Sequence, residues 1–296
     1  MASTIHAPAG VPRRFMKSRQ LFRDPAAGTR FERDGYVVVD FLNPAEVDAL
    51  AAAYDSLGGD LDRPAFASTI MSHDAGYRLA VSAVIADTFA RALAETFCDV
   101  RFFWGNFNVK FPNGPMGAVP LHQDPSFLDE REACPLGLWV PLVDTSRENG
   151  ALEVIPASHT LLTGPRCGGR RFPYIHLQDT LLQRFARMLP MRAGQAYIGS
   201  PALFHASPPN TGSRPRIVAA GLAGPATSSL RYFHYREGDG GAIAEMFGVD
   251  HDYYVTAPLF SRPDTDRYAI IEEIPLEAAP PDPGLIIETL DHLNRS

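Results

Sequence analysis

Gly194-Gln195-Ala196-Tyr197-Ile198-Gly199-Ser200-Pro201-Ala202-Leu203-Phe204-His205-Ala206-Ser207-Pro208-Pro209-Asn210-Thr211-Gly212-Ser213-Arg214-Pro215-Arg216 is the stretch on which the reading of this chain turns. Its apolar runs, Gln195 to Ile198 and Ala202 to His205, are strand-length and are separated by Gly199-Ser200-Pro201. Ile217 to Leu222 follows Arg216 in the same style, and similar runs lie at Arg101 to Phe111, Gly137 to Leu142, Leu152 to Ile155 and Leu230 to Tyr235. Short apolar runs bounded by Gly and Pro read as strands. Helical patterns come earlier. After a strand at Tyr36 to Val39, Asn43 is an N-cap with Pro44 in the first turn and Glu46 three residues on, the pattern of a capping box. Val47, Leu50, Tyr54 and Leu57 share one face of that helix, which Gly58-Gly59 ends. A second helix is predicted from Val81 to Phe97, and an inserted one from Leu177 to Leu189, stopped by Pro190. Helices first and many short strands later predict a mainly β fold with helices: a double-stranded β-helix, the jelly-roll or cupin-like architecture, with supporting α-helices.

His122-Gln123-Asp124 carries the chemistry together with His205 and Arg216. Residues i and i+2 of a strand point to one face, so His122 and Asp124 can reach a common metal ion while Gln123 faces away. His205 completes two imidazoles and one carboxylate, the ligand set of mononuclear non-haem iron(II) sites with open coordination positions. The same donors also hold Zn(II), Co(II) or Ni(II). His-x-Asp alone is a weak motif in a chain with nine histidines; its surroundings give it weight. Arg216, eleven residues beyond His205, is a fixed charge whose planar fork suits a carboxylate. Arg214 competes for that role, but Arg216 opens the apolar run and is the one expected to point inward. Lys110 is either a ligand contact or a strand-end lysine reaching solvent.

The chain resembles the phytanoyl-CoA dioxygenase family over about residues 31 to 235. The resemblance rests on Phe31-Glu32-Arg33-Asp34-Gly35-Tyr36-Val37-Val38-Val39, the His122-x-Asp124 strand, Glu148-Asn149-Gly150-Ala151-Leu152-Glu153-Val154-Ile155-Pro156-Ala157-Ser158-His159, and the run from His205 to Arg216. It implies an oxygenase that uses Fe(II), 2-oxoglutarate and O2 and releases succinate and carbon dioxide. His122, Asp124 and His205 match the family's iron ligands and catalytic centre. Arg216 and Ser207 match the residues that hold the distal carboxylate of 2-oxoglutarate, Trp139 an aromatic beside it, and Asn108 a polar contact to it. Gly194-Gln195 departs from the family's frequent Gly-Asp. Related halogenases lack the carboxylate ligand, so Asp124 favours hydroxylation, desaturation or ring formation over halogenation. Two other readings stay open: a zinc-dependent hydrolase with Glu148 or Glu153 as base, and a non-catalytic metal-binding jelly-roll protein. The fixed spacing of Arg216 argues against both.

Composition sets the outer limits. A chain of 296 residues with 45% hydrophobic content can bury a large core. A net charge of -7 and a pI near 5.7 leave no electrostatic footprint for nucleic acid or anionic membrane. Three cysteines without metal-ligand spacing, and no apolar run of membrane-spanning length, predict a cytoplasmic protein. The expected layout is a flexible N-terminal tail at 1–20, an oxygenase domain at 21–275, and a linker with a C-terminal helix at 276–296. That helix starts at Asp282-Pro283 and docks on its own domain or forms a dimer contact, so a monomer or a homodimer is expected. The expected partner is a small-molecule substrate of secondary or amino-acid metabolism, free or tethered to coenzyme A or a carrier protein. Its contacts are expected from the loops Ala67 to Arg78, Pro125 to Arg131 and Gly164 to Ile175, the last carrying Arg166, Arg170 and Arg171.

Overall fold

A computed structural model of the chain describes residues 20–58, 65–112, 117–238, 241–277 and 281–294. The tail expected at 1–20 lies, but for its last residue, outside the described residues, as do residues 278–280 of the expected linker. Six α-helices and thirteen strands follow in order: α1 Pro25–Asp34, β1 Tyr36–Asp40, α2 Pro44–Leu57, β2 Phe66–Ser68, α3 Ala75–Thr96, β3 Val100–Lys110, β4 Val119–His122, β5 Leu136–Pro141, β6 Leu152–Val154, α4 Gln178–Phe185, β7 Arg187–Leu189, β8 Gln195–Gly199, β9 His205–Ser207, β10 Arg216–Pro225, β11 Arg231–Gly238, β12 Gly241–Gly248, α5 Tyr253–Thr256, β13 Ile270–Pro275 and α6 Pro283–Leu293.

The strands form an antiparallel jelly roll. A six-stranded sheet has the order β1-β8-β5-β10-β3-β2 and faces a four-stranded sheet ordered β4-β9-β6-β7. Alternation sorts the large sheet's side chains into two layers. Leu138, Val140, Ala196, Ile198, Phe107 and Ala219 pack outward against the helices. Trp139, Tyr197, Val218 and Ala220 pack inward with Leu152, Val154 and Leu203 of the smaller sheet and its loops. The site lies on this inner side, between the sheets. A third sheet, β11-β12-β13, extends the chain beyond the roll. It is pinned by Glu245, 1% exposed, which accepts hydrogen bonds from Arg236 at 3.0 Å and Arg262 at 2.7 and 3.0 Å.

Local chemistry explains the boundaries. The capping box of α2 is complete: Glu46 N–H donates to Asn43 Oδ1 at 3.0 Å, and Asn43 N–H to Glu46 Oε2 at 2.8 Å. The helix expected over Leu177 to Leu189 ends at Phe185. Arg187 to Leu189 instead leave the helical path to pair with β6, Leu189 opposite Leu152, so ladder hydrogen bonds override local propensity. The strand expected from Ala202 to His205 begins only at His205. Ser200 turns the chain first, its carbonyl accepting from Leu203 N–H at 2.9 Å. Helix α6 docks on its own chain through Ile286 and Leu290, which join Leu121, Leu181 and Phe185 in one cluster. Leu290→Ala is therefore expected to lower unfolding stability by about 2–5 kcal/mol in urea titrations; an unchanged midpoint would place α6 off the core.

Candidate active site

Strands β4 and β9 lie side by side with His122 opposite His205, so two imidazoles from distant parts of the chain meet by register. Their ring centroids are 4.1 Å apart. Each ring is fixed in the same way. Nδ1 of His122 is 2.8 Å from the Pro120 carbonyl, and Nδ1 of His205 is 2.9 Å from that of Leu203. A carbonyl two residues back thus takes the Nδ1 proton and leaves Nε2 free as a ligand atom, the usual support of a metal-binding histidine. Asp124 stands just past the end of β4, its N–H donating to the Pro201 carbonyl at 2.9 Å. Its carboxylate oxygens lie 3.7 Å from His122 Nε2 and 3.8 Å from His205 Nε2. One atom from each of the three residues falls within 4.8 Å of the others.

The electrostatics match a cation site. Burial pushes the Asp124 carboxyl up, but His205 and His122 outweigh it and hold it at about 2. Burial and the neighbouring His122 push His205 down, whereas His122 is raised because Asp124 outweighs its burial. An ionised carboxylate beside imidazoles with free Nε2 atoms is what a divalent first-row metal requires.

Between the sheets lies a second feature that calls for a ligand. Arg216 at the start of β10 is 2% exposed, and burial lowers its pKa to about 9, which leaves it charged at neutral pH. Nη1 donates to the Gly150 carbonyl at 2.8 Å, and the guanidinium lies 5.0 Å from the Trp139 ring centroid. Its Nε is buried with no hydrogen-bond partner, and among the described residues no carboxylate is within ion-pair distance. A buried charge without a counter-ion is costly. Opposite Arg216 in register is Lys110, fully buried, its Nζ donating to the Ser207 carbonyl at 2.8 Å and to the Pro208 carbonyl. Two basic side chains thus lie in register on neighbouring strands, and among the described residues no carboxylate is within ion-pair distance of either.

The quoted motifs act by holding backbone. Gly150 has φ 81°, and a Cβ there would lie 2.5 Å from the Pro208 carbonyl, so only glycine can present its own carbonyl to Arg216. Asn149 shapes that turn by donating to the Asp144 carbonyl at 2.8 Å. Asn210 donates to the Lys110 and Arg214 carbonyls at 3.0 and 2.8 Å, closing the loop that ends at Arg216. Ser158 accepts from Phe204 N–H at 2.8 Å, fixing the backbone next to His205.

The structure thus brings His122, Asp124 and His205 together, and Arg216, Trp139 and Ser207 into one inner layer, with Arg214 exposed. Asn108 is on the same face of β3, two residues before Lys110, and its Oδ1 accepts from Asn106 Nδ2 at 2.8 Å. Lys110 does not reach solvent; its place opposite Arg216 is a pairing that sequence spacing does not show. Arg166 is not a free substrate contact. It donates to the Asp124 carbonyl at 2.7 Å and forks onto Glu130, bracing the metal-binding loop. Arg170 lies over the Tyr235 ring at 4.4 Å. Glu148 is exposed, and Glu153 has Arg147 3.9 Å away.

The family model of phytanoyl-CoA dioxygenase (PhyH) matches residues 31–218, more than half of the chain. The chain belongs to the phytanoyl-CoA dioxygenase family. Among solved structures, SnoK, a non-haem α-ketoglutarate-dependent carbocyclase of nogalamycin biosynthesis, shares the fold at 18% identity and a TM-score of 0.50, covering 69% of this chain and 85% of its own. HygX of Streptomyces hygroscopicus, solved with nickel, 2-oxoglutarate and hygromycin B, is 16% identical over 68% of this chain and 87% of its own, with a TM-score of 0.49. The epimerase SnoN, also of nogalamycin biosynthesis, is 25% identical over 71% and 84%, with a TM-score of 0.47. No curated protein matches the chain. Beyond the family match, the third sheet belongs to this chain's C-terminal part, and among the described residues no helix is long and apolar enough to cross a membrane.

Lys110 makes a pH prediction. Burial and then Arg216 depress its pKa from 10.5 to about 7. From pH 10.5 down to about 7 the unfolded state binds the extra proton, so the folded state loses stability as pH falls. Lys110→Met should therefore raise the melting temperature more at pH 7 than at pH 10; an offset independent of pH would contradict the buried, depressed lysine.

Proposed function

We propose that this family member is an Fe(II)- and 2-oxoglutarate-dependent dioxygenase that hydroxylates a small-molecule substrate. His122, Asp124 and His205 are the iron ligands in this reading. The observation that carries it is the buried, counter-ion-free Arg216 in the same inner layer as the ligand triad. A dicarboxylate answers both needs at once, one end at the metal and the other at the guanidinium. Bound iron(II) would supply oxygen activation at the coordination positions the triad leaves open.

The chain's own residues do the rest. Arg216 holds the far carboxylate through its planar fork, and Ser207 and Lys110 add donors and positive charge beside it. Trp139 stacks behind the guanidinium and keeps water from it. Asn108, on the same face of β3 as Lys110, orients the co-substrate. The Pro120 and Leu203 carbonyls keep both imidazoles turned toward one point, so little reorganisation accompanies binding. Arg166 keeps the Asp124 loop in place through the Asp124 carbonyl. An intact carboxylate ligand supports hydroxylation over halogenation, because it fills the position a halide would need.

Two substitutions test the reading. Removing one partner of a buried charge pair costs roughly 3–5 kcal/mol, so Arg216→Ala should weaken 2-oxoglutarate binding by about two to four orders of magnitude in calorimetry of the metal-loaded protein. Unchanged affinity would move the anchor elsewhere. Asp124→Ala should abolish succinate release, and full turnover by that variant would remove Asp124 from the ligand set.

A further inference from the structure

Immediately beyond Asp124 the chain enters the wall of a cavity of about 150 Å³. Pro125 and Ser126, the two residues that follow Asp124 in the chain, are part of that wall. The rest of the wall is apolar: Ile70, Met71, Trp104, Phe127, Tyr254 and Phe260 are among its residues. Each of the three loops expected to meet substrate contributes to it, through Ile70 and Met71, Pro125 to Phe127, and Gly168. The far side comes from residues past the family match, Tyr232, Phe233, Tyr254, Leu259 and Phe260.

Trp104, Phe127 and Tyr254 touch one another. Their ring centroids are 5.1 to 5.9 Å apart, and Phe127 meets the other two edge to face at 69° and 80°. The three rings pack against one another and not around a cation-sized gap, and among the described residues no acidic side chain lines the cavity. The Tyr254 hydroxyl is already used, donating to the Arg231 carbonyl at 2.6 Å. Arg78 ties two walls together. It is 6% exposed and donates to the Val255 and Thr256 carbonyls at 2.9 and 3.1 Å and to the Ser72 carbonyl. At the rim Phe260 sits at φ 65° with its ring 52% exposed. A bulky residue held in the left-handed region is strained, and such strain marks functional positions.

We infer that this cavity receives an uncharged, apolar, single-ring-sized part of the substrate. A charged group there would lose its hydration, and among the described lining residues no charged side chain replaces it. A space of about 150 Å³ suits a molecule the size of benzene. The substrate class is therefore one that carries a neutral aromatic or alicyclic ring. Any charged part, a phosphate or carboxylate included, stays outside the cavity. The inference rests on the oxygenase reading for its link to turnover, while the cavity's ligand class stands on its own geometry.

Toluene, tetramethylammonium and 2-oxoglutarate serve as separate probes of the full chain, with binding followed by calorimetry. Toluene should bind saturably, and at least about tenfold more tightly than tetramethylammonium. Ile70→Phe, which fills the cavity, should weaken toluene at least about tenfold and leave 2-oxoglutarate affinity unchanged. Phe260→Gly removes the rim ring and suits φ 65°, so it should stay folded and weaken toluene several-fold. Absent toluene binding, or equal binding by wild type and both variants, would overturn the cavity assignment while 2-oxoglutarate binding kept the oxygenase reading intact. Tighter tetramethylammonium binding would overturn the neutral class. Loss of 2-oxoglutarate binding alone would strike the oxygenase reading and not the cavity.

Discussion

A buried guanidinium without a carboxylate is the constraint around which the inner layer is organised. Arg216 gives up its hydration to sit between two sheets, in register with a second buried basic side chain, Lys110. Its compensation from the protein is partial: the Gly150 carbonyl and the face of Trp139. The fold keeps this arrangement because both cations lie on strands of the central sheet, where register fixes them. In the proposed reading an anionic ligand with a second, metal-binding end would complete the balance, which joins Arg216 and the ligand triad into one site.

Much of the chain's motif content serves that site indirectly. Gly150 must be glycine to turn beneath Pro208 and offer its carbonyl. Asn210 closes the loop before Arg216, and Ser158 fixes the backbone before His205. Gly199 has a similar role: a Cβ there would lie 2.0 Å from the Tyr197 hydroxyl, so glycine makes room for a ring packed in the inner layer. None of these side chains needs to touch a ligand, yet each sets the position of one that does.

The jelly roll was legible because its strands are short, apolar and punctuated, and α2 because its capping box is local chemistry. Arg216 could be preferred over Arg214 because it opens an apolar run, and burial separates the two as expected. What escaped the sequence depended on partners distant in the chain. Arg187 to Leu189 looked helical until β6 offered a ladder. Lys110 looked like a strand end, and only its register opposite Arg216 accounts for its burial. Arg166 was expected among the substrate contacts and instead braces the Asp124 backbone. Trp104, Tyr232 and Tyr254 carry no motif; their convergence comes from the third sheet folding back over the roll.

The proposed division of labour is spatial. The roll's inner layer holds metal and co-substrate, while the third sheet and the loop after Asp124 form the substrate wall. The most direct test of the account is anaerobic addition of Fe(II) and 2-oxoglutarate to metal-free protein, followed by visible absorption. The account predicts a weak charge-transfer band that requires both additions and is lost in Arg216→Ala at moderate 2-oxoglutarate. Normal metal binding with no band at any 2-oxoglutarate concentration would contradict it.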